Sequence, residues 1–307
     1  MSRKPVYALV AVAVLSLAGC SADDLPFIGK PAARMDGHTV SMAEYQTRLR
    51  LLRDDYNITR QANPSQYPSL DSTDGKKIDQ NFQNQAIQDL VDQQLVLDDA
   101  KNHGITVSDD DVNKDVDNAR RDYEFRANQA NQQGSQNPGT FNDYLKKEGV
   151  TIDQVREQAR ARLAEQRLEN QQAKRRAQDA LDMIKGGKDL VEVAKQYSDE
   201  KDADRGTELT VKISDLDTGS LAALKGALTA LQVGQTTQEL TKASDGFYIL
   251  KLDAKDATTM KIRYVLVRAP DADFYHINQR PQWFADYVTG LEKNAHVQYQ
   301  VGSIKNP

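Results

Sequence analysis

Along residues 78–97, apolar side chains recur at helical spacing. Phe82, Ala86, Leu90 and Leu97 fall on one stripe with Gln94 as its polar member, and Ile87, Val91 and Leu95 lie beside it. A face that wide is stable only when packed against other helices, so the segment demands helical partners from elsewhere in the chain. The sequence supplies them. Tyr45, Leu49, Leu52 and Tyr56 share a face behind Ser41, which with Glu44 three residues on has capping-box form. Asn102-His103-Gly104 stops the apolar helix, and Ser108 with Asp111 opens the next. A polar Gln/Asn/Gly stretch at 128–139 interrupts before Phe141, Tyr144 and Leu145 give a short helix. Thr151 with Gln154 then starts a long charged helix to about Lys185, on which Val155, Ala159 and Leu163 are sparse apolar positions. Residues 57–77, rich in Pro, Ser, Asn and Asp, read as an exposed loop. Asp36-Gly37 marks a short strand pair over 35–40.

Arg3 and Lys4 precede an apolar run over 6–18, broken only by Ser16 and closed by Gly19 and Cys20. The run is shorter than the ~20 residues that span a bilayer and has the form of a signal peptide. Leu17-Ala18-Gly19-Cys20 fits a bacterial lipobox, in which the Cys20 thiolate takes up a diacylglyceryl group. The alternative is a secretory signal that ends near an unmodified cysteine. Lipid chains contribute about 0.8 kcal/mol per buried CH2, and two or more together give stable anchoring. The expected location is therefore outside the cytoplasm, on a bacterial membrane surface. Residues 21–33, with Pro26, Gly29 and Pro31, lack periodicity and read as a tether.

Cys20 is the only cysteine, which excludes disulfides, cysteine zinc sites and thiol catalysis from the fold beyond it. His38, His103, His276 and His296 are scattered without metal-cluster spacing. Asp109-Asp110-Asp111 lacks the glycine and terminal glutamate of a calcium loop, and Lys174-Arg175-Arg176 is flanked by acids. No cofactor is expected. With 40 Lys+Arg against 45 Asp+Glu, nothing invites nucleic acid. The 307 residues, 28% charged and 7% aromatic, suit two domains with modest cores.

Three segments in order, ARMDGHTVSMAEYQTRL, NQAIQDLVDQQLVLDDAKNHGITVSDDDVNKDV and FNDYLKKEGVTIDQVREQARARLAEQRL, resemble the N-terminal domain of SurA/PrsA-type chaperones and cover most of 33–170. AQDALDMIKGGKDLVEVAKQYSDE and GALTALQVGQTTQELTKASDGFYILKL resemble the parvulin-type peptidyl-prolyl isomerase domain. That resemblance implies two histidines on adjacent central strands, an acidic or cysteine side chain in the loop after the helices, and an apolar pocket for the proline ring. Here Tyr248 stands in place of the histidine on the last strand. The family's other histidine strand precedes the helices, where this chain has only charged helix. Lys261-Ile262-Arg263-Tyr264-Val265-Leu266-Val267 is its substitute, free to pair with 247–252 as a hairpin and placing Tyr264 at the second histidine's position. Arg205-Gly206-Thr207-Glu208-Leu209-Thr210 keeps only part of the family's Gly-Gly-Asp-Leu-Gly, Glu200 holds the acidic position, and Leu224 replaces a pocket phenylalanine.

Trp283, Phe284, Tyr287, Val288 and Leu291 follow Pro281 at helical spacing and resemble the chaperones' C-terminal element, which packs back on the N-terminal domain. The expected fold is α+β, a mainly helical lobe with a small inserted parvulin-like α/β module. Its divisions are a signal peptide (1–20), tether (21–33), helical domain (34–175), degenerate parvulin-like domain (176–268) and returning C-terminal segment (269–307). The resemblance implies a chaperone whose partners are unfolded or nascent exported polypeptides and, through the anchor, the bilayer. Prolyl isomerisation faces a barrier of ~18–20 kcal/mol from amide resonance and needs no nucleophile or metal, so an active isomerase is the alternative. A structural or solute-binding lipoprotein is a second.

Overall fold

The computed structural model describes residues 30–62, 64–132, 139–269 and 281–304. Cys20, His276 and most of the tether lie outside the described residues, and the expected lipidation with them. The chain divides into two compact units, one made of the described parts of Met1–Glu165 and Val288–Pro307, the other of Gln166–Tyr287.

In the first unit, β1 (Ala33–Met35) and β2 (His38–Val40) form the hairpin that Asp36-Gly37 signals. Met35 faces His38 across it, and Gly37 takes φ +75. Helix α1 (Met42–Ala62) opens on the capping box: the Ser41 N–H donates to Glu44 at 2.7 Å and the Glu44 N–H donates back to the Ser41 hydroxyl at 3.2 Å. Helix α2 (Thr73–Asn102) buries Ala86, Ile87, Leu90, Val91 and Leu95 against Val40, Tyr45 and Leu49.

The loop expected over 57–77 is shorter than its composition indicates, because α1 runs on to Ala62 and α2 begins at Thr73. Tertiary contacts extend both helices. Tyr56 packs edge-on against Tyr67 and Phe82, with ring centroids 5.8 and 5.5 Å away, and Arg53 grips Asp79 through two bonds of 2.6 and 2.8 Å. Ser72 caps α2 by accepting the Gly75 N–H. Gly75 is needed for closeness, since a Cβ there would lie 1.8 Å from the Ser69 carbonyl oxygen.

Helices α3 (Asp109–Gln132), α4 (Phe141–Lys147) and α5 (Ile152–Lys185) share a second cluster of Val112, Val116, Tyr123, Phe141, Leu145 and Val155. The N–H of Gln154 donates to Thr151, whose own N–H donates to the Gln154 side chain, as the pattern requires. Helix α8 (Gln282–Asn294) precedes β7 (Gln298–Tyr299), which pairs antiparallel with β1, so the small sheet has the order β2-β1-β7. Leu291, Ala295 and Val297 join the α1–α2 cluster.

The second unit contains α6 (Leu190–Tyr197), β3 (Glu208–Lys212), α7 (Lys225–Ala230), β4 (Thr241–Ala243), β5 (Gly246–Lys255) and β6 (Thr259–Arg268). The strands form an antiparallel sheet in the order β3-β6-β5-β4. Strand alternation gives it two apolar faces. Ile249 and Val265 pack on Leu181 of α5 and on Leu190, Val193 and Ala194 of α6. Phe247 and Val267 pack on Ala173 and Ala177. The opposite face carries Tyr248, Leu250, Ile262 and Leu266 against Leu224 and Leu228. Trp283, expected against the N-terminal helices, packs on the cluster that Ala173 and Ala177 of α5 share with Phe247 and Val267. The architecture is α+β, and no helix among the described residues is long and apolar enough to cross a membrane.

Candidate functional site

The two central strands of the larger sheet, β5 and β6, bring the candidate residues together. Tyr248 faces Leu266 and Tyr264 faces Leu250 across the ladder, which makes the tyrosines diagonal neighbours on one face. Their ring centroids are 5.4 Å apart at an interplanar angle of 44°. The Tyr248 hydroxyl donates to Asp245 Oδ2 at 2.8 Å. Burial and this hydrogen bond to a carboxylate push the Tyr248 phenol far above its ordinary value. Burial first, then the negative charges of Glu200 and Asp245, push Tyr264 up to about 12. Both phenols are therefore neutral donors at physiological pH. The one proton of the Tyr248 hydroxyl is committed to Asp245, which leaves Tyr264 as the phenol that can donate to a peptide carbonyl, and neither exchanges protons near neutrality as a histidine pair does.

Glu200 is placed by the loop that follows α6. The Leu266 N–H donates to Ser198 Oγ at 3.2 Å, the Asp199 N–H donates to the Leu266 carbonyl at 2.8 Å, and the Arg268 N–H donates to Asp199 Oδ2 at 2.7 Å. These bonds fasten residues 198–199 along β6, and Glu200 then accepts from the Arg268 guanidinium at 2.7 Å. Burial raises Asp199 above the usual carboxylate range, against the lowering effect of the Arg268 amide and of Arg176.

Leu224 closes a 3-10 turn, Gly219–Leu224, and lies in the apolar cluster that holds Tyr248 and contacts Tyr264. It is only 4% exposed, so it is core packing under the tyrosines rather than an open pocket wall. The sequence suggests that a charge at 224 would spare the fold. Its burial reverses that expectation, because an unpaired charge there must be desolvated.

Sequence reasoning passed over Asp245 and Arg268, the direct partners of Tyr248 and Glu200. Their only signals were modest: Asp245-Gly246 as the turn into β5, and Arg268 at period two beyond Tyr264 and Leu266.

Thr207 is the strained point of the site loop. It takes φ +46, rare for a β-branched residue, is 6% exposed, and its hydroxyl is buried without a hydrogen-bond partner. Relief of the left-handed backbone is worth roughly 1–2 kcal/mol. Removing the unpaired hydroxyl adds to this, and glycine's extra unfolded-state entropy of about 0.5–1 kcal/mol offsets part. Thr207→Gly is thus expected to stabilise the chain by about 1 kcal/mol, raising the thermal midpoint of residues 166–287 by about 4 °C. A lowered midpoint would show that the Thr207 methyl contributes more than the strain costs.

A family model described as the SurA-like N-terminal domain matches residues 2–169, and one described as the PPIC-type PPIase domain matches residues 153–254. The second match ends before β6, so the strand that carries Tyr264 completes the sheet from outside the matched residues. No curated protein matches the chain.

Proposed function

The chain belongs to the SurA-like N-terminal domain family and carries a PPIC-type module, a combination of the chaperone and foldase class, and from that premise we propose that it is a lipid-anchored extracytoplasmic holdase. Its clients are unfolded exported polypeptides, and its isomerase-like module binds them rather than turning them over. The observation that carries this reading is the pair of protonated tyrosines, 5.4 Å apart on the two central strands, where the resemblance calls for histidines. A scaffold that keeps its packing while its proton-exchanging groups are replaced together is suited to gripping peptide. The anchor rests on the lipobox at Cys20.

The purified protein is expected to suppress aggregation of a chemically unfolded client at near-stoichiometric ratio. In a protease-coupled proline-peptide assay, it should leave the relaxation at its uncatalysed rate. Cys20→Ser is expected to move the protein from the membrane to the soluble fraction. A second reading, an active isomerase in which the Tyr264 hydroxyl, or that of Tyr248 once it leaves Asp245, donates to a twisted amide, is favoured by the PPIC-type match across Tyr248. Robust turnover that disappears in Tyr248→Phe or Tyr264→Phe would establish that reading in place of the first.

A further inference from the structure

Strand β3 is an outer strand of the larger sheet, and its burial differs from that of its neighbours: Glu208, Leu209, Thr210 and Lys212 are exposed and only Val211 is buried. The hydrogen-bonding phase of the strand follows from two bonds at its end of the sheet. The Ile213 N–H donates to the Thr258 carbonyl at 2.8 Å, and the Asp256 N–H donates to the Thr259 carbonyl at 3.0 Å. Thr259 therefore turns toward β5, while Thr258 and Met260 turn toward β3. With Leu209 opposite Ile262 and Val211 opposite Met260, these are the residues of β3 that bond to β6. Glu208, Thr210 and Lys212 consequently point their N–H and C=O groups away from the sheet. Among the described residues, no hydrogen bond takes up those outward groups.

We propose that this edge of β3 takes up an extended, β-prone segment of an unfolded polypeptide as a fifth strand, an inference that rests on the client-binding reading above. Pairing through the main chain suits a client class with no common sequence, because every non-proline residue offers the same donor and acceptor. The charges favour such a guest. Glu208 is already engaged by Lys261 at 2.9 Å and Arg263 at 3.4 Å, and Thr210 is neutral, so only Lys212 presents a charge, suited to an acidic or polar flank. Leu209, 39% exposed, adds an apolar contact. The opposite outer strand, β4, is three residues long, and its Lys242 is bonded to the Ala269 carbonyl. A second copy pairing through β3 would bury far less than the ~1,200 Å² of stable interfaces, so a five-residue edge suits a transient guest better than a dimer.

Thr210→Pro tests the idea, since proline is tolerated on a sheet edge where its missing N–H faces outward. The full-length variant is expected to keep the wild-type unfolding midpoint and to need about tenfold more protein for equal protection of an unfolded client, as expected when one or two net hydrogen bonds are lost. In the wild-type chain, exchange of the Thr210 amide with solvent is expected to slow when unfolded client is added, a readout that does not depend on the variant's folding. If the wild type protects the client, and Thr210→Pro protects it equally or the amide is unaffected by client, the edge proposal is overturned while the holdase reading stands. If the wild type protects no client, both fall. Slowing of the amide with protein concentration alone, together with a doubled mass in solution, would make a second copy the occupant and overturn the proposal.

Discussion

A chain that stops after Asn294 is expected to lose the fold of residues 30–165 at physiological temperature. The thirteen residues removed, 295–307, end the returning C-terminal segment and include β7, which pairs Tyr299 with Ala33 and Gln298 with Arg34. Val297, 2% exposed, is part of the α1–α2 cluster, and Tyr299, Val301 and Ile304 pack against it. Full burial of one such side chain is worth ~1.5–3 kcal/mol. Ser303 also closes a small polar contact with Asn84, donating its N–H at 2.8 Å and accepting from the amide at 3.1 Å. Truncation further strands Glu292, a buried carboxylate that accepts the Tyr299 hydroxyl at 2.5 Å. The combined loss is about 5 kcal/mol, comparable to the whole stability of a marginal domain. Urea unfolding followed by far-UV dichroism, with amide exchange across α1 and α2, measures it. Unchanged protection of the α2 amides in the truncated chain would show that β7 is an ornament.

Gly246→Ala is expected to destabilise the second unit by about 3 kcal/mol, the upper range for forcing extra atoms into packed space. The cause is proximity, because a Cβ at 246 would lie 2.3 Å from the Val267 carbonyl oxygen and 2.9 Å from the Arg268 Cα. Both are backbone atoms of the neighbouring central strand, to which Gly246 is paired opposite Arg268. Relief requires β5 and β6 to part where Tyr248 and Tyr264 meet. It also displaces Asp245, which holds the Tyr248 hydroxyl and accepts the Ala269 N–H at 3.1 Å. The thermal midpoint of residues 166–287 is expected to fall by about 10 °C. Tyrosine fluorescence or near-UV dichroism would report the altered ring contact. A midpoint within 2 °C of the wild type would mean that the strand pair yields more readily than its carbonyl geometry implies, on the same scale.

The local signals were legible because their causes are local. A serine or threonine hydroxyl reaches an N–H three residues away whatever the rest of the chain does, so the caps at Ser41, Ser108 and Thr151 could be read directly. The hairpin at Asp36-Gly37 and the apolar stripe of α2 follow from backbone conformation and helical periodicity in the same way. The diagonal approach of Tyr248 and Tyr264 was legible as well, because a hairpin joining 247–252 to 261–267 leaves few registers that keep both apolar faces inward.

What tertiary structure decided involves partners far apart in sequence. The reach of α1 to Ala62 depends on Tyr56 meeting Tyr67 and Phe82, and the burial of Leu224 depends on the sheet above it. Trp283 packs on a cluster that α5 shares with β5 and β6, a setting out of reach of periodicity, which identifies an apolar stripe but not the neighbour it covers. Thr207 is a similar case: it lies in the segment that keeps only part of the Gly-Gly-Asp-Leu-Gly pattern, and its positive φ is visible only in the folded loop. By itself the sequence determined the capped helix starts, the hairpin at Asp36-Gly37 and which faces are apolar, since these are short-range consequences of residue type. Which apolar face met which, and which carboxylate came to hold which tyrosine, was decided by long-range packing, whose energy is shared among residues that no local pattern connects.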